Sequence, residues 1–182
     1  VPFYGEVIIC IDSPGVREIL TKIERPMTTY GKSRDAVYRA ENIRFKENKS
    51  TYSVFRAKEN LGEIQVALPG EHNVLNSLAA ITVGLEMGLS FESIKSSLKN
   101  YDGVRRRFDI KTKSKNIIVV DDYAHHPTEI RVTLKAAKDG WNRRIIAVFQ
   151  PHLFSRTKAF FREFAQSLQQ ADIIFITSIY PA

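Results

Sequence analysis

Four clusters of residues in this chain have the types and spacing to do chemistry. In Gly70-Glu71-His72-Asn73-Val74-Leu75-Asn76, a Pro-Gly turn delivers a histidine and two asparagines onto the start of a helix. Asn73 and Asn76 are three apart and share a helix face. An asparagine amide accepts from an exocyclic amine and donates to the neighbouring ring nitrogen, which suits adenine. The same residues also admit a structural role, with Asn73 capping the helix and Asn76 solvated.

The second cluster, Asp121-Asp122-Tyr123-Ala124-His125-His126-Pro127-Thr128-Glu129, falls where a buried strand gives way to a helix. Adjacent acids there can hold ribose hydroxyls or a metal-bound water, and adjacent histidines can ligate metal or orient a carboxylate. Hard cations want more oxygen ligands than this stretch offers, so no metal ligand is assigned to it. Its bland alternative is a polar loop capped by Thr128 or Asp122. The third cluster is Arg105-Arg106-Arg107 before Phe108, whose guanidinium forks match phosphates; as a solvated hinge it needs at most one functional arginine. The fourth, Phe149-Gln150-Pro151-His152-Leu153-Phe154-Ser155-Arg156-Thr157, sets Arg156 beside hydroxyls near a helix start, as an anion clamp or merely beside an N-cap at Ser155 or Thr157. Gly31-Lys32-Ser33 ends like a Walker A motif, but its first glycine would fall at Pro26. No clean strand precedes it and no helix follows at once, so it reads as a loop.

The elements that must position these clusters fall into two patterns. Residues 6–11 read as a strand, Ser13 as an N-cap before Pro14, and Val16, Ile19, Leu20 and Ile23 as a helical stripe to about residue 24. Residues 36–45, 51–58 and 61–68 alternate over short polar links, which favours an antiparallel meander. Helices follow over about 73–87 and, capped by Ser90, around Ile94 and Leu98. After the turn at 101–103 the order becomes β-α-β-α-β: strands at 117–120, 145–149 and 173–176, helices at 127–138 and 158–170. Such alternation argues for a parallel sheet, which binds ligands at the carboxyl ends of its strands. A domain boundary is expected near residue 104, giving domains of 1–104 and 105–182.

Composition narrows the classes. The 182 residues are 43% hydrophobic and 26% charged, a globular balance that excludes a disordered or fibrous chain. No apolar run is long enough for a membrane span. One cysteine, Cys10, excludes an internal disulfide framework and points to a reducing compartment. Residues 1–103 balance 13 basic side chains against 13 acidic ones, whereas residues 104–182 hold 14 against 7 and carry the whole +7. An anionic partner is implied, whether a nucleic acid, a membrane surface or a phosphorylated small molecule. A nucleic-acid module would interleave aromatics with Lys and Arg on an exposed face, but Phe160, Phe161 and Phe164 cluster on and around one helix face, where core packing accounts for most of them. The opening without Met, the lack of a signal peptide and the stop after a strand-like run suggest a piece of a longer chain.

Taken in order, these stretches resemble the ATP-dependent Mur ligases of bacterial peptidoglycan synthesis, over essentially the whole chain. Residues 70–76 are similar to the adenine-side motif of the family, Arg107-Phe108 to its interdomain arginine and Asp122 to the aspartate opening its third domain. Residues 121–130, 149–157 and 179–182, with Pro2-Phe3-Tyr4-Gly5 and Thr28-Thr29-Tyr30-Gly31, look like the members that act on UDP-N-acetylmuramate and L-alanine; members that recycle murein tripeptide are the nearest rivals. The resemblance implies an α/β fold, with part of a central ATPase domain (meander and helices) followed by part of a Rossmann-like parallel-sheet domain, hinged at 103–107. It implies a cytoplasmic ATP-dependent carboxylate–amine ligase with His72, Asn73 and Asn76 on adenine, Asp122 on ribose and Arg107 on phosphate. Arg107 and His125 are then the catalytic candidates, and Tyr123, His125, His126 and Arg156 would face alanine and the muramoyl acyl group. The phosphate loop and the main Mg2+ ligands of the family would lie upstream, so the piece alone is expected to be inactive.

Overall fold

A computed structural model of the chain describes residues 2–181; Ala182 of the 179–182 stretch lies outside the described residues. The chain divides into two compact units, one of residues up to 45, 49–67 and 71–102, the other of 46–48, 68–70 and 103 onward.

The first unit is built on a five-stranded sheet in the order β1 (Val7–Cys10), β2 (Met27–Gly31), β3 (Tyr38–Lys46), β4 (Lys49–Arg56), β5 (Glu59–Val66). β1, β2 and β3 run parallel, and β4 and β5 are antiparallel with a bulge at Val54/Phe55. The β3–β4 link is two residues, shorter than the five the alternation suggested, and the β4–β5 link is two as expected but falls at 57–58. β2 was not legible as a strand, so a strand does precede Gly31-Lys32-Ser33; the absence of a following helix still removes the Walker reading. Between β1 and β2, α1 (Pro14–Ile19) ends early in a 3-10 turn, Leu20–Lys22. Ser13 has the extended backbone of an N-cap, but its side chain makes no capping hydrogen bond.

α2 (Glu71–Glu86) lies on this sheet, and α3 (Phe91–Lys99) packs beside β5. Alternation places Tyr38, Ala40, Tyr52, Val54, Ile64 and Val66 inward, against Val74, Leu78 and Ile81 of α2, and all are buried. Ser90 caps α3, its side chain accepting from the Ser93 amide at 3.3 Å.

In the second unit, α4 (Pro127–Gly140) and α6 (Phe161–Leu168) supply the core: Ile130, Leu134, Phe164 and Leu168 close on Phe149 of β8 (Ile146–Phe149). β8 pairs in parallel with β9 (Ile173–Ile176), as a β-α-β crossover requires. β7 (Ile118–Asp121) pairs instead with an antiparallel neighbour, β6 (Asp109–Lys113). Between the two small sheets is an open cavity of about 850 Å3, lined by Val119, Val120, Leu134, Ala147 and Phe149 among others. The helix expected over 158–170 is two, α5 (Phe154–Ala159) and α6, broken at Phe160.

Candidate functional site

In the first unit the candidate residues sit on the first turns of α2. Gly70 precedes them at φ 92°, a conformation that favours glycine. His72 and Asn73 are half-buried and Asn76 is exposed. Two tyrosines of the sheet pin the helix beneath them. The Tyr52 hydroxyl lies 2.6 Å from Ser77 Oγ, which donates to the Asn73 carbonyl at 2.8 Å, and the Tyr38 hydroxyl donates to Glu86 Oε1 at 2.8 Å near the other end. Burial and the Glu86 bond push the Tyr38 phenol up to about 12; burial also raises Tyr52. At the N-terminus Glu71 pairs with Lys32 at 2.7 Å. The turn carrying Lys32 is fixed by Asp12, whose carboxylate accepts from the Lys32 and Ser33 amides at 2.8–3.0 Å.

In the second unit the loop after β7 is organised by two carboxylates. Asp122 accepts from the Phe108 amide through Oδ2 and from the Ala124 amide through Oδ1, both at 2.8 Å. It therefore ties the arginine stretch to the loop while keeping lone pairs for a further donor. Glu129 gathers more. Oε2 accepts from the amides of His125 (2.9 Å) and His126 (3.2 Å) and lies 3.5 Å from the His125 ring, while Oε1 accepts from Arg107 at 3.3 Å. Partial burial pushes the Glu129 carboxyl up, but the His125 amide and ring and the Arg107 guanidinium outweigh it and hold it below its ordinary value.

The two histidines differ. The Nδ1 of His125 lies 2.9 Å from the Tyr123 carbonyl, which can only accept. In the neutral ring Nδ1 thus carries the proton and Nε2 is left as the basic nitrogen. His126 Nδ1 accepts from the Thr128 amide at 3.3 Å and completes a capping box with Glu129, so the cap of α4 is His126 and neither Thr128 nor Asp122. Its ring meets Phe160 edge-on at 4.9 Å. Tyr123 is exposed, with the Arg106 guanidinium 4.5 Å above its ring and His125 against its edge at 5.0 Å.

Arg156 is half-buried on α5 and pairs with no carboxylate among the described residues. α5 is entered through Leu153, at φ 68°, and has no side-chain cap, so neither Ser155 nor Thr157 caps it; Thr157 Oγ1 donates instead to the Leu153 carbonyl at 2.8 Å. The Phe160 amide donates to the Arg156 carbonyl, linking Arg156's helix to the ring that His126 touches. The second unit thus brings Arg107, Asp122, Tyr123, His125 and His126 together, with Arg156 one helix turn before Phe160, whose ring meets His126. His72, Asn73 and Asn76 belong to the first unit. Sequence reasoning missed Glu129 as an organiser; the signal was its capping-box position, obscured because the capping residue is a histidine.

The Mur ligase middle domain matches residues 1–84, and the Mur ligase glutamate ligase domain matches residues 106–182. The UDP-N-acetylmuramate–L-alanine ligase of Syntrophotalea carbinolica is 46% identical over 182 residues, all of this chain and 40% of the relative. The chain therefore spans about two fifths of the length of the curated relatives it matches. The crystal structure of the UDP-N-acetylmuramate–alanine ligase of Thermotoga maritima superposes with a TM-score of 0.74 at 35% identity, covering 84% of this chain and 34% of that one. A MurF ligase of the same organism, solved in complex with ADP, shares the fold at 16% identity and a TM-score of 0.77, over 96% of this chain and 40% of its own. With both domain types matched in order and the meander, the α2 start and the Asp122–Glu129 loop in place, the chain belongs to the Mur ligase family.

Proposed function

We propose that this chain is part of an ATP-dependent ligase that joins L-alanine to UDP-N-acetylmuramate. The observation that carries the reading is the 46% identity running across all 182 residues to ligases of that name. The γ-phosphoryl of ATP passes to the muramoyl carboxylate, giving an acyl phosphate and ADP. The amine of L-alanine then attacks the acyl carbon, and phosphate leaves as the amide forms.

Each local geometry fits a role in that sequence. Asn73 and Asn76, with His72, face adenine from the pinned start of α2, and Asp122 accepts from the ribose hydroxyls with its spare lone pairs. Arg107 acts where negative charge grows on the phosphoryl oxygens, the position at which a fixed cation helps most. His125 offers Nε2 to the proton that the attacking ammonium must lose. Tyr123 and Arg156 face the alanine and the muramoyl acyl group, and His126 contributes through the cap it makes for α4. Among the described residues no three His, Cys, Asp or Glu side chains gather as a metal site, and Asp122 is engaged by two amides. The described residues do not form a magnesium site, and this reading assigns no Mg2+ ligand to them. No described helix is long and apolar enough to cross a membrane, and the reading places the ligase in the cytoplasm.

Neither rival is favoured: relatives 45–48% identical over the whole chain bear the alanine-ligase name, whereas a murein peptide ligase matches the fold at only 20% identity and a TM-score of 0.62. The test is acceptor choice by the complete ligase that carries these residues. L-alanine should be joined to UDP-N-acetylmuramate with consumption of ATP, and a preference for murein tripeptide would overturn the assignment.

A further inference from the structure

We propose that Glu129 is a positioning residue of this site, fixing Arg107 and His125 relative to one another through the two oxygens of one carboxylate. The proposal rests on the reading that Arg107 and His125 act on the phosphoryl and amine groups. No other described side chain touches both. One oxygen holds the His125 amide and faces the His125 ring, and the other holds the Arg107 guanidinium. Glu129 is also the third residue of α4, so its backbone is set by a helix whose own cap, His126, it completes. That makes it a rigid support: the groups it carries lie on a loop and on the arginine stretch, but the carboxylate stands on a regular element. Its neighbours reinforce the same arrangement from the other side. Asp122 draws the Phe108 amide, one residue beyond Arg107, onto the loop, and the Tyr123 amide donates to the Arg106 carbonyl at 2.8 Å.

The pair with Arg107 is half-exposed, so it holds the guanidinium in place without burying it, and leaves its remaining N–H donors for an anion. The carboxylate thereby selects the rotamer of a long flexible side chain before substrate arrives. A misplacement of about 1 Å at such a residue costs on the order of a hundredfold in rate, and losing one of several supports should cost less.

The experiment uses Glu129→Gln, Arg107→Ala and the double variant in the complete ligase. Glutamine at this position still accepts from both amides of the capping box, so folding, followed by circular dichroism, is retained while the ionic hold on Arg107 is gone. The expected result is a fall of about tenfold in kcat for Glu129→Gln in the wild-type background, and less than twofold in the Arg107→Ala background. Equal losses in the two backgrounds, or unchanged kcat beside an impaired Arg107→Ala, would overturn the positioning role. So would a gain in kcat, because it would mean that Glu129 restrains Arg107 away from the substrate. Full activity of Arg107→Ala would overturn the reading of Arg107 itself, and the proposal with it.

Discussion

His125 shows how much chemistry a single backbone contact decides. Because the Tyr123 carbonyl accepts from Nδ1–H, the basic nitrogen is Nε2, and a variant that keeps the ring's polarity but not its basicity should lose the proposed proton transfer. His125→Gln is expected to lower kcat by roughly a hundredfold or more, measured by steady-state kinetics of the complete ligase. Glu129 carries a second, independent consequence. Its carboxyl is held below the ordinary value of 4.5, so the unfolded chain binds more protons than the folded one as pH falls past that value. Stability from this group is present above pH 4.5 and is lost on acidification, and thermal melts between pH 3 and 5 should be flatter for Glu129→Gln than for the wild type. Asp122 and the histidine pair stand out in the sequence because their types are chemically distinctive and they follow a strand, and Arg107 stands out in a run of three arginines before β6. Glu129 could not, because a glutamate two residues into a helix is ordinary until its partners are known.

The elements were legible where periodicity was strong and missed where pairing made the element. β3, β4 and β5 alternate cleanly, but β6 (Asp-Ile-Lys-Thr-Lys) has one apolar residue in five and becomes a strand by pairing with β7. β2 has four half-buried residues followed by buried Gly31, a pattern without alternation. The break between α5 and α6 escaped notice because Phe161, Phe164 and Leu168 keep a helical spacing up to the very residue where the backbone leaves it. Two substitutions test element-level claims. Ser90→Ala removes the one side-chain bond at the start of α3 and should cost about 1 kcal/mol in chemical denaturation. Gly31→Ala would set a methyl 2.4 Å from Asp12 Oδ1, forcing apart the carboxylate and the turn it holds. It is expected to be more damaging than Ser90→Ala in the same assay.

For the whole molecule, the charge asymmetry acquires a local meaning: the excess of basic residues after residue 103 includes Arg106 and Arg107 at the Asp122–Glu129 loop. The chain also exposes much of β9, with Phe175 and Ile176 57% and 63% accessible beside exposed Val148. Apolar strands left open in this way promote association, so Phe175→Lys should raise the concentration at which the 182-residue chain self-associates, followed by light scattering. The 182 residues alone are expected neither to hydrolyse ATP nor to ligate alanine, and measurable turnover by the isolated chain would contradict this. That expectation comes from the share of each relative that the chain covers, which sequence resemblance conveyed and periodicity could not.

The two tyrosines that pin α2 have an optical consequence. A phenol absorbs differently once ionised, and these two are held protonated by burial in the folded chain, Tyr38 to about 12. The unfolded chain would release both protons near pH 10, so stability must decline as pH climbs beyond that point. An alkaline titration watched in the ultraviolet should therefore show exposed tyrosines ionising first, then a late, steep step as Tyr38 and Tyr52 ionise together with the loss of α2 from its sheet. The helix that carries His72, Asn73 and Asn76 thus has a built-in chromophore reporting when it lets go.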